Sequence, residues 1–262
     1  MSLQGKTALI TGSAGGLGRT IADHLLSLGA NLVICDINAA RLSATQAELS
    51  VSHPDRTLFL EVNVADEESV KSLIAKSVEE FGQLDIVVNN AAIMDRFDPA
   101  GDCDLELWNR VLAVNLTGPF LVTKHAVPHM KSQAQARGGQ GGGLIINIGS
   151  IASVHGLTAG VAYTASKHAI LGLTKNTASF YAKDGVYSIA LLLGGMANTN
   201  ITDAFAENTN QDGFKLMGDT YPGVRMVPTE HVARYVAFLS EGDMGQAANG
   251  SCITLNSNWP AA

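Results

Sequence analysis

The stretch that decides the fold reads TGSAGGLG at residues 11–18, directly after the apolar run TALIT at 7–11. Gly12, Gly16 and Gly18 would let the chain turn tightly from a strand into a helix and bring backbone amides close to a pyrophosphate. A plain tight turn is the alternative. The context favours a dinucleotide site, because Asp36 ends the next apolar run, 18 residues after Gly18.

Short apolar runs alternate with helical patterns along the whole chain, and this alternation predicts βαβ units. The predicted strands are TALIT (7–11), NLVICD (31–36), TLFLEV (57–62), LDIVVNN (84–90), GLIINIGS (143–150), VYSIALLL (186–193) and SCITL (251–255). The predicted helices cover about 16–28, 66–81, 104–131, 158–183 and 230–239, and one more follows NLVICD and ends near residue 49. We therefore expect an α/β fold, a Rossmann-like, doubly wound parallel sheet of about seven strands with helices on both faces.

The length of 262 residues and the 46% hydrophobic content fit one soluble domain, 1–262. The net charge of −7 argues against nucleic-acid binding as the main role. Three scattered cysteines predict no disulfide framework, and neither they nor the His125/His129 pair form a metal pattern. Lys6 interrupts the first apolar run, so we expect neither a signal peptide nor a membrane span, and a cytoplasmic protein.

Two segments break the alternation of strands and helices. Residues 137–143, RGGQGGG, have no periodic apolar pattern and predict a flexible surface loop. Residues 197–228 mix Asn, Asp and Gly with more apolar side chains than a linker needs. We interpret 197–228 as a lid over a substrate, with a surface excursion as the alternative.

Asp36 also bears on the choice of dinucleotide. Its carboxylate can accept hydrogen bonds from a ribose 2′-hydroxyl, whereas a 2′-phosphate would bring its own negative charge against it. Ile37 follows, and the glycine turn contains no cation before Arg19. The sequence thus predicts NAD rather than NADP, unless Asp36 is only a polar strand end or helix cap, which would leave the choice open.

A second constellation is Tyr163 and Lys167, which are four residues apart in YTASK and would share a helix face. Tyrosine ionises near pH 10, too high for a base at neutral pH. A neighbouring ammonium favours the phenolate, so we expect Lys167 to lower the pKa of Tyr163. Ser150, at the end of an apolar strand 13 residues earlier, would lie at the same edge of the sheet.

Taken together, these motifs resemble the short-chain dehydrogenase/reductase family, in its single-domain form, over nearly the whole chain. TGSAGGLG is similar to the family's TGxxxGxG, and NNAA at 89–92 to its NNAG. Asn115, Ser150, Tyr163 and Lys167 match its catalytic tetrad in order.

The resemblance implies that Tyr163 is the general acid/base, with Lys167 lowering its pKa and holding the nicotinamide ribose. Ser150 would bind the substrate oxygen and Asn115 a relay water. It also implies that NAD lies along one set of residues: Gly12, Ala14, Gly16, Leu17, Gly18, Asp36, Ile37, Asn63, Val64, Asn90, Ala91, Ala92, Tyr163, Lys167, Met196, Asn198 and Thr199.

The chain departs from the family pattern where Asn63 replaces a common Asp and Ala92 a common Gly. After the sixth strand the register is ambiguous, so either Asn198 or Thr199 would contact the carboxamide. The substrate would be a small-molecule secondary alcohol or ketone in an apolar site, with these candidates for its walls: Met94, His155, Leu157, Met196 and Phe205.

Other activities and the assembly remain open at this stage. A cofactor-retaining epimerase or dehydratase and an NAD sensor without turnover are the alternatives to a dehydrogenase. Family resemblance suggests a homotetramer built through the helices at 104–131 and 158–183. We expect these helices to carry surplus apolar residues: Leu107, Val111, Val114, Leu121, Ala169, Leu173 and Phe180.

Overall fold

The computed structural model describes residues 2–139, 141–201 and 209–260. Its seven strands form one parallel sheet in the order β3-β2-β1-β4-β5-β6-β7. The strands are β1 (Thr7–Thr11), β2 (Asn31–Asp36), β3 (Thr57–Glu61), β4 (Ile86–Asn89), β5 (Gly143–Ser150), β6 (Val186–Leu193) and β7 (Cys252–Leu255). The helices are α1 (Gly16–Ser27), α2 (Ala39–Ser52), α3 (Glu67–Phe81), α4 (Leu105–Leu112), α5 (Gly118–Ala136), α6 (Val161–Tyr181), α7 (Gln211–Thr220), α8 (Thr229–Leu239) and α9 (Met244–Ala247).

The central strands are buried on both faces, which is why their sequences are apolar throughout rather than alternating. In β1, Ala8 and Ile10 pack into a core with α1 and α8. Leu9, between them, faces the other way into a core with α3 and α5. The predicted doubly wound, single-domain α/β fold is confirmed.

The strand order reverses between β1 and β4, and this reversal opens a crevice at the carboxyl ends of the strands. The glycine turn lies at that crevice. Gly12 and Gly16 have positive φ angles of 64° and 53°, which side-chain-bearing residues rarely adopt. At Gly18 a Cβ would overlap the carbonyl oxygen of Gly12 and lie 2.6 Å from the Asn90 amide nitrogen. Close packing therefore excludes a side chain there.

The helix predicted over 104–131 is longer and less regular than expected. A single π-helical stretch, Ala113–Thr117, separates α4 from α5, and α5 continues past Pro128 to Ala136. In the 197–228 segment the structure contains α7, which the sequence pattern did not indicate. Asn210 caps α7 by accepting a hydrogen bond from the Gly213 amide at 3.0 Å.

The glycine-rich loop at 137–143 is anchored at its start. Arg137 donates to the carboxylate of Asp85 at 2.8 Å and to the carbonyl of Gly141 at 2.6 Å. Asp85 is buried and also accepts from the Thr7 amide at 2.9 Å, so the loop is tied to the amino-terminal edge of the sheet.

Three of the apolar residues predicted to form a subunit interface are instead in the protomer core. Leu107, Val111 and Leu121 are buried. Leu107 and Val111 pack with Tyr163, because α4 lies against α6 within one chain. The large apolar side chains that these helices expose are Leu105, Phe120 and Phe180.

The packing of Gly18 generates a stability prediction. Gly18→Ala should lower the free energy of unfolding by about 1–3 kcal/mol, because the new methyl group must displace backbone of the glycine turn. Gly218→Ala is the matched control: it lies in α7 with open space around the added carbon, and should be neutral or slightly stabilising. Urea unfolding of both variants tests this; equal stabilities would contradict the tight packing.

Candidate active site

A cleft of about 840 Å³ runs along the carboxyl ends of the strands, across the reversal between β1 and β4. It gathers most of the residues that the sequence singled out. Its walls include Gly12, Gly16, Leu17, Asp36, Ile37, Asn63, Val64, Asn90, Ala91, Ala92, Met94, Ser150, Tyr163, Lys167, Met196 and Thr199.

The amino-terminal end of α1 faces this cleft through Gly15, Gly16 and Leu17. Gly15 is the N-cap residue and provides no side-chain hydrogen bond, and the first turn contains no acidic residue. The amides of the first turn and the positive end of the helix dipole thus face the cleft, where they suit an anion. This arrangement fits the pyrophosphate of a dinucleotide.

Asp36 lies at the end of β2 in the same wall. Its carboxylate accepts hydrogen bonds from the Asn38 amide at 2.9 Å and the Ala14 amide at 3.3 Å, which fix its orientation. Arg41, in the first turn of α2, also lines the cleft. The glycine turn contains no cation before Arg19, but Arg41, further along the sequence, was not predicted as part of the cleft wall.

The side chain of Asn90 holds the glycine turn against β4. Its amide donates to the carbonyls of Thr11 at 2.9 Å and Gly12 at 3.1 Å. In return, the Thr11 hydroxyl accepts from the backbone amides of Asn90 and Ala91, each at 3.0 Å. Asn90 therefore shapes the cleft and has its amide hydrogens committed to the protein.

Tyr163, Lys167 and Ser150 lie together in the middle of the cleft. Tyr163 and Lys167 come from the first two turns of α6, and the Lys167 ammonium lies 5.4 Å from the centre of the tyrosine ring. Ser150, at the end of β5, lies beside the Tyr163 phenol and acts to lower its pKa. Its Oγ accepts from the Ala152 amide at 3.1 Å, which orients the hydroxyl.

The expected lowering of the Tyr163 pKa is wrong. Burial raises the pKa of Tyr163 to about 12, against a smaller lowering by the hydrogen bond from Ser150. Burial also lowers the pKa of Lys167 to about 8, and its ammonium donates to the Ile148 carbonyl at 2.8 Å. Desolvation thus disfavours the charged form of both groups.

Asn115 lies behind the cleft, in the π-helical stretch. Its side chain bonds both backbone groups of Ile93, at 2.8 and 2.9 Å, and reaches the Ser166 hydroxyl at 3.3 Å. This side chain connects α4 and α5 to the segment after β4 and to α6. A π-bulge commonly marks a functional position, and here it brings Asn115 into reach of these partners.

The outer half of the cleft is apolar. Four methionines, Met94, Met196, Met217 and Met226, line it. Phe97, Ile151, Thr158, Ile201, Phe214, Val224 and Trp259 complete these walls. Several come from α7 and the segment after it, and Phe97 contacts Phe214 edge to face at 5.2 Å between ring centres.

Some predicted site residues lie elsewhere. Ala14 and Gly18 support the glycine turn without lining the cleft, and Leu157 and Asn198 are also outside its walls. His155 packs against the ring of Tyr221, with 6.1 Å between centres. Because Thr199 lines the cleft and Asn198 does not, the structure favours Thr199 in the ambiguous register. Phe205 falls outside the described residues.

Comparison with known proteins gives a consistent result. Residues 6–210 match the family model described as short chain dehydrogenase. The short chain dehydrogenase/reductase dpchG of Colletotrichum higginsianum is 42% identical over 98% of this chain and 94% of its own length.

Two further relatives also align almost completely. The 3beta-hydroxysteroid dehydrogenase 2 of Eggerthella lenta is 34% identical over 99% of this chain and 96% of its own. Among solved structures, 3-ketoacyl-(acyl-carrier-protein) reductase from Brucella melitensis, complexed with NADH, superposes with a TM-score of 0.83. It is 26% identical and covers 97% of this chain and 98% of its own.

The buried Lys167 predicts a specific dependence of stability on pH. Its pKa is about 8 when folded and near 10.5 when unfolded, so between these values the unfolded chain binds more protons and stability rises with pH. Lys167→Met lacks this contribution. It should be more stable than the wild type near pH 7, by a margin that narrows by roughly 3 kcal/mol towards pH 10.5.

Urea unfolding at several pH values measures that margin. Lys175→Met removes an exposed lysine from the same helix and serves as the control. A margin for Lys167→Met that stays constant with pH would contradict the lowered pKa.

Proposed function

The chain belongs to the short-chain dehydrogenase/reductase family, and from that premise we propose that it is an NAD(H)-dependent oxidoreductase interconverting a secondary alcohol and a ketone. The observation that carries the proposal is the contact of Tyr163 with Ser150 and Lys167 inside the cleft that also holds the glycine turn. The nicotinamide cofactor, when bound, supplies the hydride acceptor or donor and, when oxidised, a positive charge.

In alcohol oxidation the Tyr163 phenolate takes the proton of the substrate hydroxyl, and the Ser150 hydroxyl hydrogen-bonds the substrate oxygen. In ketone reduction the Tyr163 phenol returns that proton. Lys167 holds a ribose and adds positive charge near Tyr163. Burial and, to a smaller extent, the Asp95 carboxylate raise the pKa of Tyr163 to about 12, so the phenolate needs a cation beside it.

Asp36 supports a preference for NAD. Two backbone amides orient its carboxylate at the cleft wall, where it can accept hydrogen bonds from the ribose hydroxyls. A 2′-phosphate there would meet this negative charge. Arg41 also lines the cleft, so Asp36 rather than a lack of cations is the basis of the preference.

The outer walls suit a bulky apolar substrate. Methionine, phenylalanine and tryptophan side chains there bury hydrocarbon surface well, and the described residues bring few polar groups to these walls. The similarity to a protein named as a hydroxysteroid dehydrogenase agrees with such a substrate. We propose that α7 and the segment that follows it as far as Met226 form a lid over the substrate, within the region 197–228.

The assembly that we propose is a homotetramer. Leu105, Phe120 and Phe180 are exposed on α4, α5 and α6, and burial against a second copy would remove them from water.

None of the helices in the described part of the chain has the length and apolar content needed to cross a membrane.

The first test of this function is Tyr163→Phe, assayed by NADH formation with a panel of secondary alcohols that includes hydroxysteroids. Turnover should fall roughly 10²- to 10⁴-fold, because the acid/base is lost. NADH affinity, measured by fluorescence, should persist. Tyr187→Phe, outside the cleft on β6, is the matched control. A near wild-type rate for Tyr163→Phe would refute the mechanism, and wild-type NADH binding without turnover of any alcohol would favour the sensor.

The second test concerns cofactor choice. Asp36→Ser should raise the ratio of kcat/KM for NADP to that for NAD roughly tenfold to a hundredfold, because a charged hydrogen bond to the ribose and a repulsion are both removed. Adding Arg41→Ala should reverse part of this gain. Asp55→Ser, exposed before β3, controls for the loss of a carboxylate. A wild-type protein that binds NADPH more tightly than NADH would overturn the preference for NAD.

A further inference from the structure

The helix that carries Tyr163 begins without a cap of its own. Its N-cap residue, Gly160, has no side chain to accept the free amides of the first turn. Asp95, in the segment after β4, accepts them instead. Its Oδ1 receives the Gly160 amide at 3.0 Å, and its Oδ2 receives the backbone amide of Tyr163 itself at 2.8 Å.

Asp95 is fixed by its burial and by a third hydrogen bond. The residue is 3% exposed, and its Oδ1 also accepts from the Phe97 amide at 3.1 Å. Three amide donors around two oxygens suit a carboxylate, and the positive end of α6 favours its charge. Asp95 thus joins the start of α6 to the segment after β4.

The missing side chain of Gly160 leaves the space that the Asp95 carboxylate occupies, although 65 residues separate the two in the sequence. A Cβ at position 160 would lie 2.6 and 2.7 Å from the two carboxylate oxygens, and 2.7 Å from the Asp98 amide. Any side chain at 160 would therefore push Asp95 away from the helix.

The same segment, residues 95–98, also holds α7. The Asp98 carbonyl accepts the Val161 amide at 2.9 Å, while the Arg96 carbonyl accepts the Asn210 amide at 2.8 Å. The Asn210 side chain donates to the Asp98 carboxylate at 3.1 Å. The start of α6 and the start of α7 are thus bound to one short stretch of chain.

From this geometry we propose that Asp95 is a positioning residue for Tyr163. It fixes the position of the Tyr163 phenol in the cleft. Residues 95–98 also connect the start of α6 to α7 on the substrate side. The proposal rests on the function proposed above, since it assigns a partner to the acid/base of that reaction.

The charge of Asp95 has a separate effect on the proton affinity of Tyr163. Burial is the main reason that the Tyr163 pKa is raised, and the Asp95 carboxylate raises it further. Within the described residues, the other groups facing this phenol are Lys167 on the same helix and the Ser150 hydroxyl on β5. Asp98 acts on Asp95, whose own pKa burial raises.

Two substitutions separate position from charge. Asp95→Asn removes the charge and leaves only one oxygen for three amides. Asp95→Glu keeps the charge but moves it by one methylene. Asp102→Asn, exposed on the loop that follows, is the matched control for the loss of a carboxylate. Kinetics are measured as kcat against pH for alcohol oxidation, with an alcohol from the panel.

Both Asp95 variants should lower the plateau kcat roughly tenfold to a hundredfold, because the reacting group is displaced. NADH affinity should remain that of the wild type. In Asp95→Asn the acid limb of the profile should also move to lower pH, because removal of the negative charge lowers the Tyr163 pKa. In Asp95→Glu that limb should stay in place. Asp102→Asn should match the wild type in every respect.

Hydrogen exchange provides a measurement that needs no substrate. The amides of Gly160 and Tyr163 should exchange faster in Asp95→Asn than in Asp102→Asn. Unchanged exchange overturns the proposal whether or not any alcohol is turned over. Faster exchange with a wild-type kcat and pH profile also overturns it, because Asp95 would then only stabilise the helix. A wild-type protein inactive on every alcohol, with faster exchange in the variant, would count against the proposed function instead.

Discussion

The cleft depends on the hydrogen bonds that tie the end of β1 to the end of β4. The Asn90 amide bridges two carbonyls of the glycine turn, and the Thr11 hydroxyl returns two bonds to the segment after β4. These bonds span the point where the strand order reverses. Through these two buried or half-buried side chains, the glycine turn and the segment after β4 are held at a fixed separation across the cleft.

The fold was largely predictable because its strands are buried on both faces. β1, β2, β5 and β6 have the predicted boundaries, since a continuous apolar run marks a strand of this kind. The interruption between α4 and α5 was not predictable, because it accompanies the bonds of Asn115 to Ile93, 22 residues away. Nor was α7 indicated, since glycines at 213 and 218 weaken its helical pattern.

The candidate site, like the fold, was predictable from the sequence only in part. Tyr163 and Lys167 were found from their spacing on one helix, and Ser150 from its position at the end of an apolar strand. The Tyr163 pKa was expected in the wrong direction because spacing reveals a neighbouring cation but not the burial that outweighs it. Asp95 carries no local signal at all, because its partners Gly160 and Tyr163 become neighbours only when the sheet has formed. The apolar walls from Phe214 and Trp259 likewise depend on tertiary packing.

The four methionines of the outer cleft have a chemical consequence beyond packing. Their unbranched thioethers adapt to ligands of different outline, so this wall can accept several related shapes. The same sulfur atoms react with peroxide to form sulfoxides, which are polar and chiral. Met226 is 54% exposed, which makes it accessible to such reagents. Oxidative stress would thus change what the cleft can bind while Tyr163 and its partners remain chemically intact.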